Sequence, residues 1–166
     1  MKEHYSFMIE ISESYKVHIV ILTWNNNKIL KRCLESIENV DHKNFTISVI
    51  DNNSSDDSLR MISENFPNVQ TIKNSKNFKF GRGYNEGLKK INVEDNDFII
   101  LLNDDTIVSR NFIDELINPL AKDQKAIIST PKILYSSNIN KIWYAGGVVD
   151  LWLSLIHISE PTRLTS

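Results

Sequence analysis

The sequence contains one cysteine, Cys33, which rules out an internal disulfide framework. Cys33 falls in a segment of helical period, where a buried thiol is the expected role. No apolar stretch approaches the roughly 20 residues needed to span a bilayer. The N-terminus also lacks the basic segment followed by an apolar one that marks a signal peptide. We therefore expect a cytoplasmic location, and peripheral contact with the inner face of a membrane is left open.

An excess of charge of one sign is also missing. Lys and Arg together number 19 against 21 for Asp and Glu, which gives a formal net charge of -2, and no basic block occurs. Proteins that follow a phosphate backbone carry such a block, so we expect no nucleic-acid partner. The 166 residues, 41% hydrophobic and 24% charged, have the composition of one ordinary globular domain.

The common nucleotide-binding motifs are absent as well. The glycines Gly81, Gly83 and Gly87 miss the dinucleotide-binding spacing by one residue, and they do not follow the first predicted strand. No Gly-Lys-Ser or Gly-Lys-Thr of a phosphate-binding loop occurs. Neither a dinucleotide-binding site of the usual pattern nor a P-loop is therefore expected.

Five β-branched or apolar segments alternate with polar loops and with amphipathic segments of helical period. Because crossovers of helical length separate them, they predict an α/β, Rossmann-like fold with a mostly parallel sheet flanked by helices. The first helix is predicted over 27–40, and a hairpin is predicted around Gly146-Gly147. The apolar run 98–102 predicts a strand buried on both faces. The predicted strands are 17–23, 45–50, 69–72, 98–102 and 126–130.

Polar loops follow four of these strands, and the carboxyl ends of parallel strands share one edge of a sheet. The loops at 23–27, 51–57, 103–105 and the one that begins at Asn77 are therefore expected to line a single crevice. Asp51 suits hydrogen bonding to a base or ribose, and helix starts favour phosphate. Carboxylates at 103–105 suit a hard divalent cation. A nucleotide fits this set of groups, although 103–105 also reads as a simple turn.

Four segments along the chain together resemble the successive signatures of family-2 glycosyltransferases. They are VHIVILTWN (17–25), VIDNNSSD (49–56), FGRGYNEG (80–87) preceded by Asn77, and LLNDDT (101–106). The resemblance is strongest to the rhamnosyltransferase-like branch and runs from Val17 to Asp150. It implies a glycosyltransferase A-type fold, of which this chain would hold the N-terminal nucleotide-sugar-binding part.

The resemblance also implies roles for individual residues. Thr23 and Asn25 would contribute to the nucleotide pocket, and Asp51 would bind the base. Gly81, Arg82 and Asn85 would border the diphosphate and the sugar. The full set implied to bind the nucleotide sugar is Thr23, Asn25, Asp51, Asn53, Asn77, Gly81, Arg82, Asn85, Asn103 and Asp104.

The segment Asn103-Asp104-Asp105 stands where the family's Asp-x-Asp motif holds Mg²⁺ or Mn²⁺ against the donor diphosphate. In this chain Asn103 occupies the position of the motif's first Asp. Asp105 is therefore the main implied metal ligand, and Asp104 is a weaker one. The implied reaction transfers a sugar from the donor to a hydroxyl of a glycan or lipid-linked acceptor, with inversion, in cell-surface polysaccharide or glycan synthesis. A metal there would neutralise charge on the leaving group.

Three parts of the chain are expected from this reading: a poorly ordered leader at 1–15, an incomplete nucleotide-sugar-binding domain at 16–152, and a tail at 153–166. The tail resembles the conceptual translation of a sequencing adapter, and we expect it to be non-native and to pack weakly. The family's catalytic base would then lie beyond residue 152. No catalytic residue is nominated, and the chain is expected to be a truncation that does not transfer sugar.

Two other classes of function remain as alternatives. A non-catalytic nucleotide- or phosphate-binding α/β signalling domain, such as a receiver, shares the alternating pattern, but it needs acidic residues where this chain has Thr23-Trp24-Asn25. A transferase that synthesises sugar nucleotides would carry its glycine-rich loop after the first strand, and none occurs there. The donor nucleotide, the sugar and the acceptor are left open.

Overall fold

The computed structural model describes residues 15–123, 125–150 and 155–158, which fall into two units that divide after Asp114. The predicted leader lies outside these residues except for Tyr15, and the predicted tail except for 155–158. None of the helices in the described ranges has the length and apolar character needed to cross a membrane.

The first unit is built on a four-stranded sheet with the strand order β3-β2-β1-β4. All three pairings in this sheet are parallel, as the alternating pattern predicts. Each strand coincides closely with a predicted one, so the first four strand predictions are confirmed. The strands are β1 (Val17–Thr23), β2 (Phe45–Asp51), β3 (Gln70–Lys73) and β4 (Phe98–Asn103).

Helices follow each of these strands: α1 (Asn27–Ile37), α2 (Ser58–Asn65), α3 (Phe80–Leu88) and α4 (Phe112–Lys122). The first ends at Ile37 rather than at the predicted residue 40. Its end is explained by Asn39, whose side-chain amide donates to the Glu35 carbonyl oxygen at 2.9 Å. In a continuing helix that carbonyl would accept the backbone N–H of Asn39 instead.

The order in which strands are added to the sheet reverses between β1 and β4. The strands β2 and β3 are added on one side of β1, whereas β4 pairs with its other side. Such a switch in strand order leaves a crevice outside the carboxyl ends, where ligands bind in open α/β sheets. The fold therefore places a candidate site at the ends of β1, β2 and β4.

The helix α3 lies directly against the sheet because two of its glycines face it. A Cβ on Gly87 would overlap the side chain of Ile50, and a Cβ on Gly83 would lie 3.1 Å from Leu22. The Tyr84 ring packs beside Ile50 in the core of this unit. Close approach of helix and sheet is thus built into the glycine spacing.

The Tyr84 hydroxyl joins α3 to both strands at the switch. It donates to the Leu102 carbonyl oxygen at 2.9 Å and accepts from the backbone N–H of Leu22 at 3.3 Å. Burial raises the pKa of this phenol to about 12, so it stays protonated and keeps donating at neutral pH. One side chain therefore connects β1, β4 and the helix that leads from β3 towards β4.

The prediction that residues 98–102 are buried on both faces is wrong. In β4, Ile99 and Leu101 are 44% and 55% exposed, while Phe98, Ile100 and Leu102 are half-buried. The reason lies in the position of β4, which is an edge of the described sheet rather than its centre. A continuous apolar run gives the strand correctly but does not give its place in the sheet.

The second unit contains two antiparallel pairs. The strand β5 (Ile133–Tyr135) pairs with β6 (Asn138–Tyr144), and β7 (Gly147–Asp150) pairs with β8 (Leu155–Ile158). The predicted hairpin around Gly146-Gly147 is wrong, because the runs before and after it belong to different sheets. The hairpin instead lies between β5 and β6, which are joined by a short turn at 136–137.

The predicted strand at 126–130 is also wrong. These residues have no regular secondary structure, and Ile127 and Ile128 are strongly exposed. Their β-branched side chains favour an extended backbone, but a strand also requires a partner for its ladder. The next strand begins only at Ile133, after Pro131, which has no N–H to give to a ladder.

The contact of α3 with the sheet predicts different effects for two glycines of the same helix. Gly87→Ala should lower the free energy of unfolding by about 1–3 kcal/mol, because the added carbon must displace the Ile50 side chain. Gly81→Ala, where no atom lies within 4 Å of the added carbon, should leave it unchanged or raise it by up to about 1 kcal/mol. Urea unfolding followed by circular dichroism measures both, and equal effects would contradict the packing described.

Candidate functional site

The carboxyl ends of β1, β2 and β4 bring predicted site residues to one edge of the sheet. Thr23 ends β1, Asp51 ends β2 and Asn103 ends β4. In the register of the sheet Thr23 is paired with Asp51, and Leu22 is paired with Asn103. Polar residues from three different segments of the sequence are therefore neighbours.

Asp104 is held in place by Thr23. The Thr23 hydroxyl donates to Oδ2 of Asp104 at 2.7 Å, and Thr23 is buried whereas Asp104 is half-buried. A hydrogen bond to a carboxylate is stronger than one between neutral groups. This bond fixes the loop after β4 against the end of β1 and commits one oxygen of Asp104 to the protein.

Asp105 is different, since its side chain is exposed and makes no hydrogen bond or ion pair with the described residues. Both of its oxygens are therefore open to an external cation. No group of three or more His, Cys, Asp or Glu residues arranged to hold a metal occurs within the described ranges. A metal at Asp105 would accordingly need further ligands from elsewhere, such as phosphate oxygens.

A tight turn behind these carboxylates keeps them in position. The Thr106 hydroxyl donates to the Asn103 carbonyl oxygen at 2.7 Å, and the Cys33 thiol donates to the same oxygen at 3.7 Å. Burial, together with the nearby charges of Asp104 and Asp105, raises the pKa of the Cys33 thiol to about 11. Cys33 is therefore a packing residue beneath the site and not a nucleophile.

Asp51 is fully buried, and its two oxygens accept the backbone N–H of Ser54 at 3.0 and 3.3 Å. This contact closes a turn directly after β2, of the kind that Asp side chains commonly form. In this structure Asp51 therefore shapes the loop, and its carboxylate is not open to solvent. Asn53, two residues on, is exposed and has a positive φ of 65°.

Asn25 connects the loop after β1 with the loop after β2. Its side-chain Oδ1 accepts from the backbone N–H of Ser55 at 2.7 Å and from the Ser55 hydroxyl at 3.3 Å. The backbone N–H of Asn25 donates to the Ser54 hydroxyl oxygen at 2.9 Å. The side chain is thus engaged within the protein. Asn25 holds two loops of the site together.

The start of α3 carries the remaining predicted residues. Asn77 Oδ1 accepts from the Asn52 amide at 2.9 Å and from the backbone N–H of Lys79 at 2.8 Å, so it too is engaged. Gly81, Arg82 and Asn85 are exposed on the first turns of the helix. They are accessible to a ligand.

Arg82 rests on its neighbours in the helix and the preceding loop. Its guanidinium carbon lies 4.8 Å from the centre of the Phe78 ring, and Nε lies 4.0 Å from the Glu86 carboxylate. Both contacts are exposed and weak. The guanidinium can therefore leave them for a phosphate group at small cost.

An open pocket of about 400 Å³ lies between the end of β3 and the later part of α3. Of the predicted site residues only Asn53 lines it, so it does not coincide with the carboxylates at 104–105. Its lining residues are Asn53, Lys73, Asn74, Ser75, Phe78, Glu86 and Lys90.

Two buried asparagines and Tyr84 take part in the site without having been predicted. Asn52 and Asn74 are buried and hydrogen-bonded to each other at 3.1 Å. In the sequence each stands among other polar turn residues, and nothing distinguishes a buried amide from an exposed one there. Tyr84 shares the buried face of α3 with Gly83 and Gly87, and this helical spacing is the signal that could have found it.

A parallel α/β sheet whose polar loops meet at a switch in strand order is the architecture of nucleotide-binding domains. The model of the family described as glycosyl transferase family 2 matches residues 18–164. The chain belongs to glycosyl transferase family 2. The match includes 153–164, which the sequence reading treats as a non-native tail, so that interpretation stays a prediction.

A curated relative in Methanococcus voltae is a dolichyl N-acetyl-alpha-D-glucosaminyl phosphate 3-beta-D-2,3-diacetamido-2,3-dideoxy-beta-D-glucuronosyltransferase. It is 27% identical, and the alignment covers 78% of this chain and 48% of the relative. The chain thus spans about half the length of that protein.

Two solved structures share the fold. S. aureus TarS 1-349 in complex with UDP-GlcNAc matches 66% of this chain and 32% of its own, at 20% identity and a TM-score of 0.57. The mannosyltransferase PcManGT from Pyrobaculum calidifontis, in complex with GDP-Man and Mn²⁺, matches 71% of this chain and 39% of its own, at 15% identity and a TM-score of 0.58. The likeness shows a Rossmann-like fold of the glycosyltransferase A type.

The environment of Cys33 predicts an unreactive thiol. At pH 8 a thiol of pKa about 11 is ionised to only about one part in a thousand, and the thiolate is the reactive form. Iodoacetamide should therefore leave the native protein unmodified over a period that fully alkylates it in urea. Mass spectrometry gives the answer directly because the sequence has one cysteine. Rapid stoichiometric alkylation of the native protein would show that Cys33 is not buried as described.

Proposed function

We propose that this chain binds a nucleoside diphosphate sugar for transfer to an acceptor hydroxyl, as a family-2 glycosyltransferase of polysaccharide or glycan synthesis. The observation that carries the proposal is the pair of carboxylates at the switch point. Thr23 holds Asp104, while Asp105 beside it has no partner among the described residues. The acceptor and the catalytic base are not assigned to residues.

The residues present fit a divalent cation. Mg²⁺ is usually bound through one or two carboxylates together with substrate phosphates, and an exposed carboxylate next to an anchored one supplies that half of the ligand set. Asp105 would bind the ion, with Asp104 as a weaker second ligand through its free oxygen. A bound Mg²⁺ or Mn²⁺ would supply neutralisation of charge on the departing diphosphate, typically worth several kcal/mol.

The start of α3 suits the diphosphate itself. Backbone N–H groups at a helix N-terminus favour anions, and Gly81 leaves the approach to them open. The Arg82 guanidinium can form a bidentate pair with a phosphate once it leaves Phe78 and Glu86. Four asparagines are proposed to shape or contact the nucleotide-sugar site at this edge of the sheet: Asn25, Asn53, Asn77 and Asn103.

Asp51 is proposed to recognise the base. Its carboxylate is buried beneath the turn that Ser54 closes, so a base would reach it only after the Ser54 N–H moves aside.

The proposed reaction breaks the bond between the sugar carbon and the diphosphate oxygen, and that oxygen keeps the electron pair. The acceptor hydroxyl oxygen forms the new bond from the opposite face, with inversion, and its proton passes to the catalytic base.

The donor is proposed from the resemblance and the relatives. The two similar structures are complexes with UDP-GlcNAc and GDP-Man, and the rhamnosyltransferase-like resemblance adds thymidine diphosphate to the nucleotides to test. The alternative of a signalling domain has less support, because β1 ends at Thr23 and continues into Trp24 and Asn25, where a receiver needs acidic residues. The chain also belongs to a glycosyltransferase family. A cytoplasmic location remains a prediction.

The proposal predicts metal-dependent nucleotide binding that depends on Asp105. Titration calorimetry with UDP, GDP and thymidine diphosphate should give heat with at least one of them, and only when Mn²⁺ or Mg²⁺ is present. Asp105→Asn should weaken that binding by about 10–100-fold, which is the loss typical even of residues that act behind a metal ligand.

Asp95→Asn is the matched control, because Asp95 is also exposed but precedes β4 and lies at its other end. It should bind as the unmodified protein does. Equal affinity for the two variants would move the metal away from Asp105. Absence of metal-dependent heat with all three nucleotides would refute the proposed function.

A further inference from the structure

Asn52 follows β2 directly, and its side-chain amide is saturated with hydrogen bonds while being only 3% exposed. Its Nδ2 donates to Asn77 Oδ1 at 2.9 Å and to the Lys79 carbonyl oxygen at 3.1 Å. Its Oδ1 accepts from Asn74 Nδ2 and from the backbone N–H of Phe78, both at 3.1 Å. Every bond of this side chain therefore goes to the segment between β3 and α3.

The segment that Asn52 holds enters α3 through an unfavourable backbone conformation. Lys79 directly precedes the helix and has a φ of 66°, which is uncommon for a residue other than glycine. Its carbonyl is bonded to Asn52, and its N–H is bonded to Asn77, which is itself bonded to Asn52. Surrounding contacts must maintain such a conformation, and Asn52 is at their centre.

Asn52 is also fixed to the carboxyl edge of the sheet. Its backbone N–H donates at 2.9 Å to the carbonyl oxygen of Thr23, the same residue whose hydroxyl holds Asp104. On the other side, a Cβ on Gly83 would lie 3.1 Å from the Asn52 amide nitrogen, so α3 packs directly on it. Through its backbone and its side chain, one residue thus connects the ends of β1 and β2 with the first turns of α3.

We propose that Asn52 is a positioning residue for the donor nucleotide, which holds the 77–79 turn and the start of α3 against the ends of β1 and β2. This inference rests on the proposed function. Through Asn52, the helix start that carries Arg82 keeps a fixed relation to Asp104 and Asp105 before the ligand arrives. A ligand that meets a site already in its bound arrangement binds more tightly than one that must order it.

The test compares variants in calorimetric titrations with the nucleoside diphosphate that the unmodified protein binds in Mn²⁺. Asn52→Asp keeps the shape but replaces the donor with an oxygen that faces Asn77 Oδ1 and the Lys79 carbonyl. Asn52→Ser removes the amide without that repulsion and serves where the first variant does not fold. We expect each to lower the affinity for the diphosphate by about tenfold or more.

Ser48→Ala is the matched control. Ser48 is a buried polar residue of β2, the strand that Asn52 follows, and its hydroxyl donates to Gln70 Oε1 at 3.1 Å, away from the carboxyl edge. It should lower the melting temperature while the affinity for the nucleotide stays that of the unmodified protein. A loss of affinity at Asn52 but not at Ser48 cannot be ascribed to general destabilisation.

Three results would overturn the positioning role: unchanged affinity in a folded Asn52 variant, an equal loss of affinity in Ser48→Ala, or unfolding of both Asn52 variants where Ser48→Ala is folded. The last would assign Asn52 to overall stability. If the unmodified protein binds no diphosphate, the proposed function itself fails, and that outcome is visible before any variant is made.

Discussion

The parallel pairing of β1 with both β2 and β4 is the constraint on which the site depends. It places Thr23 beside Asp51 and brings the Asn103 turn to the same edge, although these residues are far apart in sequence. The Tyr84 hydroxyl, bonded to both β1 and β4, ties this arrangement to α3. Any loss of register at β1 would separate the carboxylates at 104–105 from the hydroxyl that holds one of them.

The loops at this edge are organised by amide side chains together with two carboxylates. Asp51 closes the turn after β2, and Asp104 joins the loop after β4 to Thr23. Asn25 joins the loops after β1 and β2, and Asn52 joins the end of β2 to the entry of α3. Amides donate and accept at once, so one side chain can satisfy several buried backbone groups. Asp105 is exposed and has no partner among the described residues, as its proposed role of metal ligand requires.

The sequence predicted the parallel sheet because four β-branched runs alternate with amphipathic helices, and each pattern is local. It could not place β4 at an edge, because an apolar run is the same in a central and an edge strand. It could not exclude a strand at 126–130 either, since a partner strand is a property of the fold. Among the site residues, the sequence identified the loops, but which asparagine is buried depends on contacts such as that of Asn52 with Lys79.

The most direct test of the account locates the metal in solution. Amide signals of the ¹⁵N-labelled protein would be recorded with diphosphate nucleotide and then with added Mn²⁺, which broadens signals of nearby nuclei. If the metal binds at Asp105, the amide signals of Asp104, Asp105 and Thr23 at the adjoining end of β1 should lose intensity first. The start of β1 at Val17 should keep its signal. Broadening centred on Lys73 and Lys90, or on the start of β1, would contradict a donor site at the switch point.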